Sequence, residues 1–455
     1  MDSGGMMHTP ADINRGPNII DRTLVVLYLL GIYLGISLHL SQGVPVPSIL
    51  AGVAGSLLLL KHSSRINDRL VLAFLAVIVI MVLSILTAPD YTYIGERFKG
   101  FIQFGYSLII ACGLFFALTL YRREQLAFVF LAFCVVILFG CALENTVVPF
   151  RELSDGFRAV VFDAGIYSSD LRDQYLYGRI RPKLFTSEPS FVSFMFTVSA
   201  FSWYVLSPMR GKMFLYLLLL AGGYMAIRGP TLFLGVALIP VYQVFLATRH
   251  ERGRARGSNI LRVFGALFLA GLLAVVGLAA GSILFEERIA DIFSGRDASF
   301  FARIVAPFLL AKDIIFEHPL AGAGLAGWEF IENRVVQIYT NSSWLVIDFN
   351  FKTAAHAITN YFWLHWIFLG LFWGVILIVA LSVLLRRLGA SNILFAWAVW
   401  AVFGQAAGGY VDPRTWMVLF LAGALAVIHS REGHRRPARV RMPTPAIRTT
   451  GAEWR

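Results

Sequence analysis

The chain is built from long apolar blocks that alternate with polar connections. A helix needs roughly 20 apolar residues to cross the hydrocarbon core of a bilayer, and most of the blocks approach that length. Because lipid offers no hydrogen-bond partners, each block must satisfy its own backbone N–H and C=O groups, which favours helices. The pattern predicts an all-α polytopic membrane protein with about twelve transmembrane helices. The predicted spans are 23–40, 44–60, 70–88, 100–121, 125–142, 191–207, 213–228, 230–247, 262–285, 360–385, 391–409 and 415–429.

Lysine and arginine are distributed unevenly over the connections between these spans. Alternate connections hold most of them, including the cluster at 249–262, whereas the short connections on the other side hold only Arg97, Lys99, Arg228 and Arg414. Because basic residues are enriched in cytoplasmic loops, we predict a multi-pass inner-membrane protein with both termini in the cytoplasm. Residues 1–22 then form the cytoplasmic N-terminus, 23–429 the membrane bundle, and 430–455 a disordered basic tail.

The composition agrees with a membrane location and argues against several other classes of protein. Hydrophobic residues make up 58% of the 455 residues and charged residues only 15%, against roughly one quarter charged in soluble proteins. Much of the formal charge of +12 lies beside the spans, where it orients the protein and contacts anionic lipid, so it does not indicate nucleic-acid binding. The three cysteines lie inside apolar blocks without metal-ligand spacing, and the sequence predicts neither a metal nor a cofactor.

Two connections are much longer than the others, and both fall on the predicted periplasmic side. Loop A covers 144–190 and loop B covers 286–359, and connections of this length in a compact protein are usually functional. In loop B, apolar residues recur at helical spacing from Ala298 to Phe316, with Pro307 among them. This spacing predicts an amphipathic helix that is interrupted or kinked at Pro307 and that either lies in the membrane interface or simply packs against the bundle.

The end of loop A brings an acid and several bases to the start of a span. Pro189 suits a first helical turn, so Glu188 falls at or near the N-cap, where the helix dipole favours a carboxylate. Arg179, Arg181 and Lys183 precede it within ten residues. Such a set can bind a diphosphate and take a proton from a hydroxyl group. The alternative is a capping glutamate beside arginines that anchor to lipid headgroups.

Further candidate groups lie at one tight corner and in loop B. Arg228, followed by Gly229, joins two adjacent spans, where it either binds a phosphate or snorkels to the headgroups. The candidates in loop B are Arg296, Arg303, His318 and His356, and Asn360 follows at its exit. The run 322–327 formally matches G-x-G-x-x-G, but no strand precedes it, so tight-turn packing is the better interpretation. His365, nearly two turns into the following span, is interpreted as a hydrogen-bonded core histidine.

Four features resemble the O-antigen ligase/polymerase superfamily of bacterial envelopes, in particular its Wzy-type polysaccharide polymerases. They are Ser187-Glu188-Pro189-Ser190 opening a span, the corner Arg228-Gly229, Arg303 followed by His318-Pro319-Leu320 and Gly322-x-Gly324, and the exit of loop B before a helix with Gly370 and Gly374. Together they cover roughly residues 180–375. Ligases of the superfamily typically carry His-Asn before that helix, whereas this chain has Thr359-Asn360, with His356 three residues earlier. The departure favours a polymerase over a ligase.

The resemblance implies a GT-C-like helical bundle and a metal-independent, inverting glycosyl transfer at the periplasmic face. The donor would be a saccharide on undecaprenyl diphosphate, and the acceptor would be the terminal sugar of another lipid-linked repeat. The implied diphosphate ligands are Arg228 and Arg303, together with Arg181 and Arg296, and the implied base is Glu188 or His356. Further candidates are Arg179, His318 and Asn360. The expected partners are this lipid-linked oligosaccharide, membrane lipids, a flippase and chain-length regulators.

Three other classes of function stay open at this point. A related ligase would transfer the glycan to a lipid or protein acceptor. A lipid or oligosaccharide transporter would show the same spans, but transporters usually place ionisable residues near the midplane of the bilayer, and few are present here. A non-catalytic assembly component is expected only if loops A and B prove to lie far apart.

Overall fold

The computed structural model describes residues 16–40, 44–162, 170–247, 290, 294, 297–342 and 353–435. Within these ranges the chain is helical apart from one hairpin, in which β1 (Leu38–Leu40) pairs antiparallel with β2 (Val44–Val46). The helices up to loop A are α1 (Ile19–Leu34), α2 (Ile49–Lys61), α3 (Asp68–Leu86), α4 (Ile94–Leu118) and α5 (Arg123–Thr146). Loop A contains α6 (Val148–Val161) and α7 (Asp170–Tyr177), and α8 (Pro189–Leu206), α9 (Lys212–Ile227) and α10 (Leu232–Phe245) follow.

The remaining helices lie in loop B and in the C-terminal part of the bundle. Loop B contains α11 (Ala298–Phe300), a π-helical turn (Phe301–Val305), α12 (Ala306–Glu317), α13 (Trp328–Thr340) and α14 (Ala354–Ala357). After it come α15 (Tyr361–Arg387), α16 (Ile393–Gly404) and α17 (Pro413–Arg435). The predicted span 262–285, Arg296 and most of the basic tail lie outside the described residues.

Six of the described helices are long and apolar enough to cross a membrane, namely α3, α4, α5, α8, α15 and the first 19 residues of α17. Four more apolar helices, α2, α9, α10 and α16, have between 10 and 17 residues. The membrane character predicted from the apolar blocks therefore holds. Loop A departs from the prediction, because it contains two helices where no helical pattern was recognised in the sequence.

The spanning helices differ in how much of their surface the bundle covers. Of the best spanning window, 89% is buried in α8 and 94% in α17, but only 33% in α3, so α8 and α17 form the centre of the bundle. α3 and α5 expose apolar side chains outward, including Leu72, Val79, Phe128 and Phe139. Exposed apolar surface of this extent fits contact with lipid rather than with water.

Contacts between helix termini show which termini lie together at each end of the bundle. At one end, the Arg414 guanidinium lies 3.5 Å from the centre of the Phe191 ring, and Phe194 contacts Phe403 at a ring distance of 5.3 Å. At the other end, Arg123 binds the last carbonyl groups of α8, and the Arg431 Nη1 donates to the Thr119 carbonyl at 2.5 Å. The first end, which carries loops A and B, is called the loop end below.

The amphipathic helix predicted between residues 298 and 316 is present and is interrupted next to Pro307. The structure places the interruption in the π-helical turn Phe301–Val305, immediately before α12, which has Pro307 near its start. π-helical turns are rare and occur frequently at functional sites. This turn carries Arg303, one of the residues singled out from the sequence.

Candidate functional site

A buried acid shapes the last turn of loop A. The Glu144 carboxylate at the end of α5 accepts hydrogen bonds from the N–H groups of Lys183, at 3.0 Å, and Leu184, at 2.6 Å. The next N–H group, of Phe185, donates to the Ser154 Oγ of α6 at 3.0 Å. Leu184 and Phe185 both have positive φ angles, of 36° and 63°, which cost energy in residues other than glycine. The carboxylate and hydroxyl groups therefore hold a strained turn in place.

A buried arginine fixes the residues immediately before Glu188. Arg158 of α6 donates from Nε to the Thr186 carbonyl at 2.8 Å and from Nη2 to the Ser187 carbonyl at 3.2 Å. Its Nη1 donates to Asp155 at 2.6 Å, so the charge is compensated. Neither Arg158 nor Glu144 was singled out from the sequence. The signal that could have identified Glu144 is its position, because a carboxylate at the end of an apolar block is costly without partners.

Glu188 stands at the N-cap of α8, as predicted. Its side chain makes no hydrogen bond to the N–H groups of the first helical turn. Instead, Oε2 accepts a hydrogen bond from the Ser190 Oγ at 2.7 Å, and the residue is partly exposed at the loop end. The arrangement leaves the carboxylate available as a proton acceptor.

The Arg228-Gly229 corner packs against the first turns of α8. A Cβ atom added at Gly229 would lie 2.6 Å from the Ser193 Oγ, so only glycine allows this approach. Ser193 in turn donates to the Ser190 carbonyl at 3.0 Å, one turn from Glu188. Arg228 itself has a left-handed backbone, with φ 53° and ψ 37°, and its Nη1 donates to the Tyr177 carbonyl. Two motifs from different spans thus meet at the loop end.

A second arginine lies beside Arg228 and shares the C-terminal end of α9. The Arg179 Nη2 donates to the Ala226 carbonyl at 3.1 Å and also to that of Met225. Burial, and next the charge of Arg228, lower the pKa of Arg179 from its usual value. Its Nε is buried without a hydrogen-bond partner. Two neighbouring guanidinium groups with an unused donor form an environment suited to an anion.

Arg181 is engaged differently from these two residues. Its Nε lies 2.9 Å from the carboxylate of Asp173, a fully buried residue, and its guanidinium group stacks 4.4 Å from the centre of the Tyr177 ring. The charge of Arg181 is therefore balanced within loop A. We assign it a structural role in holding α7 against the end of loop A, in place of the phosphate contact expected from the resemblance.

At the loop end, the side-chain amide of Asn360 donates a hydrogen bond to the backbone carbonyl of Arg303. Pro307 has no N–H group, so it cannot donate to the Arg303 carbonyl four residues earlier as a regular helix would require. The Asn360 Nδ2 donates to this carbonyl at 2.7 Å and to the Gln405 Oε1 at 3.1 Å. The Oδ1 of the same amide accepts from the Trp363 N–H group and caps α15. One fully buried asparagine thus joins the π-helical turn, α15 and α16.

Replacing Asn360 with alanine should destabilise the protein and displace Arg303. The change removes the part-buried bonds to the Arg303 carbonyl and the Gln405 Oε1 and also the cap on the Trp363 N–H group, and each such bond contributes about 0.5–1.5 kcal/mol. We expect a lower midpoint of thermal unfolding for the detergent-purified full chain. A midpoint equal to that of the wild type would contradict this assignment. Asn333→Ala, at an exposed position of α13, serves as the control.

The His318-Pro319-Leu320 motif and the glycine run act together as a structural insert. α15 is broken at Gly370, where φ is 63° and ψ is −170°. The Leu371 N–H group donates to the Pro319 carbonyl at 2.8 Å, and the Ala323 N–H group donates to the Ile367 carbonyl at 2.8 Å. The turn after α12 therefore supplies hydrogen bonds that α15 lacks at its break. The glycines of this turn are explained by the close packing that these bonds require. The span predicted over 360–385 is present as α15, with this break inside it.

The three histidines considered in the sequence analysis, His318, His356 and His365, have different surroundings. His365 is fully buried and bonds to the Tyr410 hydroxyl at 3.0 Å and the Gly374 carbonyl at 3.1 Å, so its interpretation as a core histidine holds. His318 ends α12 and contacts the Phe330 ring at 5.4 Å. The backbone of His356 belongs to α14, whereas its side chain, like Arg296, lies outside what the structure describes. Over the described ranges no three acidic, histidine or cysteine residues group as metal ligands.

Comparison with known proteins adds no assignment to this geometry. No protein-family profile matches the chain. No curated protein matches its sequence significantly.

Proposed function

We propose that the protein is a glycosyltransferase that elongates a polysaccharide from lipid-linked repeats, with undecaprenyl diphosphate as the leaving group. The observation that carries the proposal is that Arg179 and Arg228 lie side by side at the end of α9, and that the Gly229 corner packs against the first turns of α8, the helix that Glu188 caps. Two guanidinium groups and a carboxylate at the same end of the bundle can combine anion binding with proton acceptance. Departure of a lipid diphosphate requires the first and activation of an acceptor hydroxyl requires the second.

The roles follow from the charge that develops during the reaction. The bond between the sugar C1 and the diphosphate oxygen breaks, and the negative charge on the leaving diphosphate is neutralised by Arg228 and Arg179. The acceptor hydroxyl attacks C1 and gives its proton to Glu188, with His356 as the alternative base. Arg303, and Arg296 by its position in the sequence, are assigned to the diphosphate from the side of loop B. No metal is needed for this charge balance.

Position in the membrane supports a lipid-linked substrate. Glu188 lies at the first residue before a spanning helix, and the Arg228 corner joins two apolar helices, so both groups lie where the polar head of a lipid would be. We assign this end to the periplasmic face of the bacterial inner membrane, with twelve spans and both termini cytoplasmic. A polyprenyl chain would then occupy the hydrocarbon layer beside the exposed apolar faces of the bundle.

Substitution of four residues in membranes from a deletion strain tests the proposal. Glu188→Gln, Arg228→Ala, Arg303→Ala and His356→Ala are each expressed in place of the wild type, and polymer length is measured by gel electrophoresis. We expect short products and accumulation of the single-repeat lipid-linked precursor in at least the Arg228→Ala membranes. Wild-type polymer from all four variants would overturn the site assignment.

The rival functions give different products in the same experiment. A ligase would leave polymer length unchanged and would fail to join the finished glycan to its acceptor. A transporter would leave the precursor in the inner leaflet, where it is not accessible to a periplasmic glycan-binding probe. Accumulation of periplasmic single-repeat precursor is specific to a failed polymerase.

A further inference from the structure

A groove opens at the loop end between the π-helical turn, α12 and α13. Its volume is about 440 Å³, and it is open to solvent on one side. Ligand clefts typically measure roughly 300–1,000 Å³, so the groove has the size of a binding site. It is separate from the Arg179, Arg228 and Glu188 cluster, whose residues do not line it.

The two walls of the groove have different chemistry. One wall consists of residues at four-residue intervals along the π-helical turn and α12, namely Phe301, Val305, Leu309 and Asp313. The other wall is a stripe along α13 and its end, namely Arg334, Gln337, Ile338, Asn341 and Ser342. Helical residues three, four and seven positions apart share a face, so each stripe is the natural product of one helix side. An apolar wall thus faces a wall rich in amide and guanidinium groups.

The polar wall offers both hydrogen-bond donors and hydrogen-bond acceptors. Within the described part of the chain, the side-chain amides of Gln337 and Asn341 make no hydrogen bond, and both residues are exposed. Each amide has a carbonyl acceptor and an NH₂ donor. At the rim, Arg334 lies 3.8 Å from Asp313 and also contacts Glu317, so its positive charge is compensated by two carboxylates. A neutral polar ligand is therefore favoured over a free anion.

The groove is continuous with the element that carries Arg303. Phe301 and Val305 line the groove, and Arg303 lies between them in the same five-residue π-helical turn. The turn is fixed from behind by the bond between Asn360 and the Arg303 carbonyl. A ligand in the groove would accordingly end close to the position that the proposed function gives to the diphosphate.

From these observations we infer that the groove binds the glycan chain of the acceptor, with sugar rings against the apolar wall and hydroxyl groups on Gln337 and Asn341. A sugar ring has an apolar C–H face and a polar edge, which match the two walls. The inference rests on the proposed function for its link to the reaction, because it names where the substrate of that site lies. The binding of a saccharide itself can be measured independently.

The experiment uses the detergent-purified full chain and oligosaccharide fragments released by mild acid from the cell-surface polysaccharide of the source organism. Binding is measured by saturation-transfer NMR for the wild type and the Gln337→Ala/Asn341→Ala double variant. Loss of two hydrogen-bonding side chains should weaken binding at least about tenfold. Thr340→Ala is the matched control, because Thr340 lies on α13 with its hydroxyl group bonded to the Val336 carbonyl and does not line the groove. The control should bind like the wild type.

Several outcomes separate this inference from the proposed function. Equal binding by the double variant and the wild type would refute the inference that the groove binds a glycan. The same conclusion would follow if a phospholipid co-purifies with the wild type, is lost from the double variant and is not displaced by the fragments. If the wild type binds the fragments but its membranes elongate nothing, the proposed function fails while the groove stands. If elongation depends on Arg228 but neither binding nor polymer length depends on the groove, the inference fails alone.

Discussion

Removing both charges of the Arg179 and Arg228 pair should lower the rate of sugar transfer at least about 100-fold, the usual cost of losing a group that stabilises developing charge. Glutamine at both positions keeps polar hydrogen donors for the carbonyl groups of Ala226 and Tyr177 while removing the positive charge. The rate is measured as elongation of lipid-linked repeats in isolated membranes. Each single Arg→Gln variant should fall between the double variant and the wild type.

A matched control and a second variant separate chemistry from folding in this experiment. Arg210→Gln removes an exposed arginine from the opposite end of the bundle and should leave the rate unchanged. Arg228→Gly places glycine at a left-handed position, where an L-residue costs about 1–2 kcal/mol, so this variant should fold at least as readily as Arg228→Gln. A folded Arg228→Gly protein with the wild-type rate would refute the role of this guanidinium group.

The second large effect is expected from Gly322→Val, which should prevent the protein from reaching its folded state. A Cβ atom at Gly322 would overlap the Ile367 carbonyl oxygen and lie 2.6 Å from the Gly370 nitrogen, and both are backbone atoms that cannot rotate away. Gly322 also has a φ of 56°, which a β-branched residue rarely adopts. We expect a cost of about 3 kcal/mol or more, as found for overpacking and backbone strain combined.

This effect is measured by the yield and thermal midpoint of the detergent-purified chain in size-exclusion chromatography. Gly222→Val is the matched control, since a Cβ atom at Gly222 in α9 meets nothing within 4 Å. The control should give wild-type yield and midpoint. A Gly322→Val protein that is as stable as the wild type would show that the insert does not hold the two parts of α15 together.

The apolar blocks could be recognised in the sequence because hydropathy is a local property. The start of α8 at Pro189 and the N-cap position of Glu188 follow from proline chemistry within one turn. The helix around Pro307 is equally local, because its apolar spacing is continuous from Ala298. Of the two helices of loop A, α6 carries local signals that were missed, namely a strongly amphipathic pattern and Pro149 in its first turn. α7 lacks such signals, because it is short and strongly polar and is held by ion pairs such as Arg181 to Asp173.

The candidate site was only partly accessible from the sequence. Arg228 and Glu188 stand out because ionisable groups at the edge of apolar blocks need a reason to be there. The groups that the supporting residues hold could not be predicted, because Glu144 acts on a turn about 40 residues away and Arg158 acts on one about 28 residues away. Arg179 and Arg181 are two positions apart and chemically alike, yet one lies beside Arg228 and the other is paired with Asp173.

By itself, the sequence determined that this chain is a helical membrane protein and which residues stand at the ends of its helices, because hydrophobicity and capping act over a few residues. Only the tertiary structure decided which of those ends meet. In the folded protein, the Gly229 corner packs against Ser193, the Asn360 amide donates to the Arg303 carbonyl, and the turn at Gly322 lies at the break of α15. Each of these contacts joins residues far apart in the chain through close packing and backbone hydrogen bonds, which no local pattern specifies.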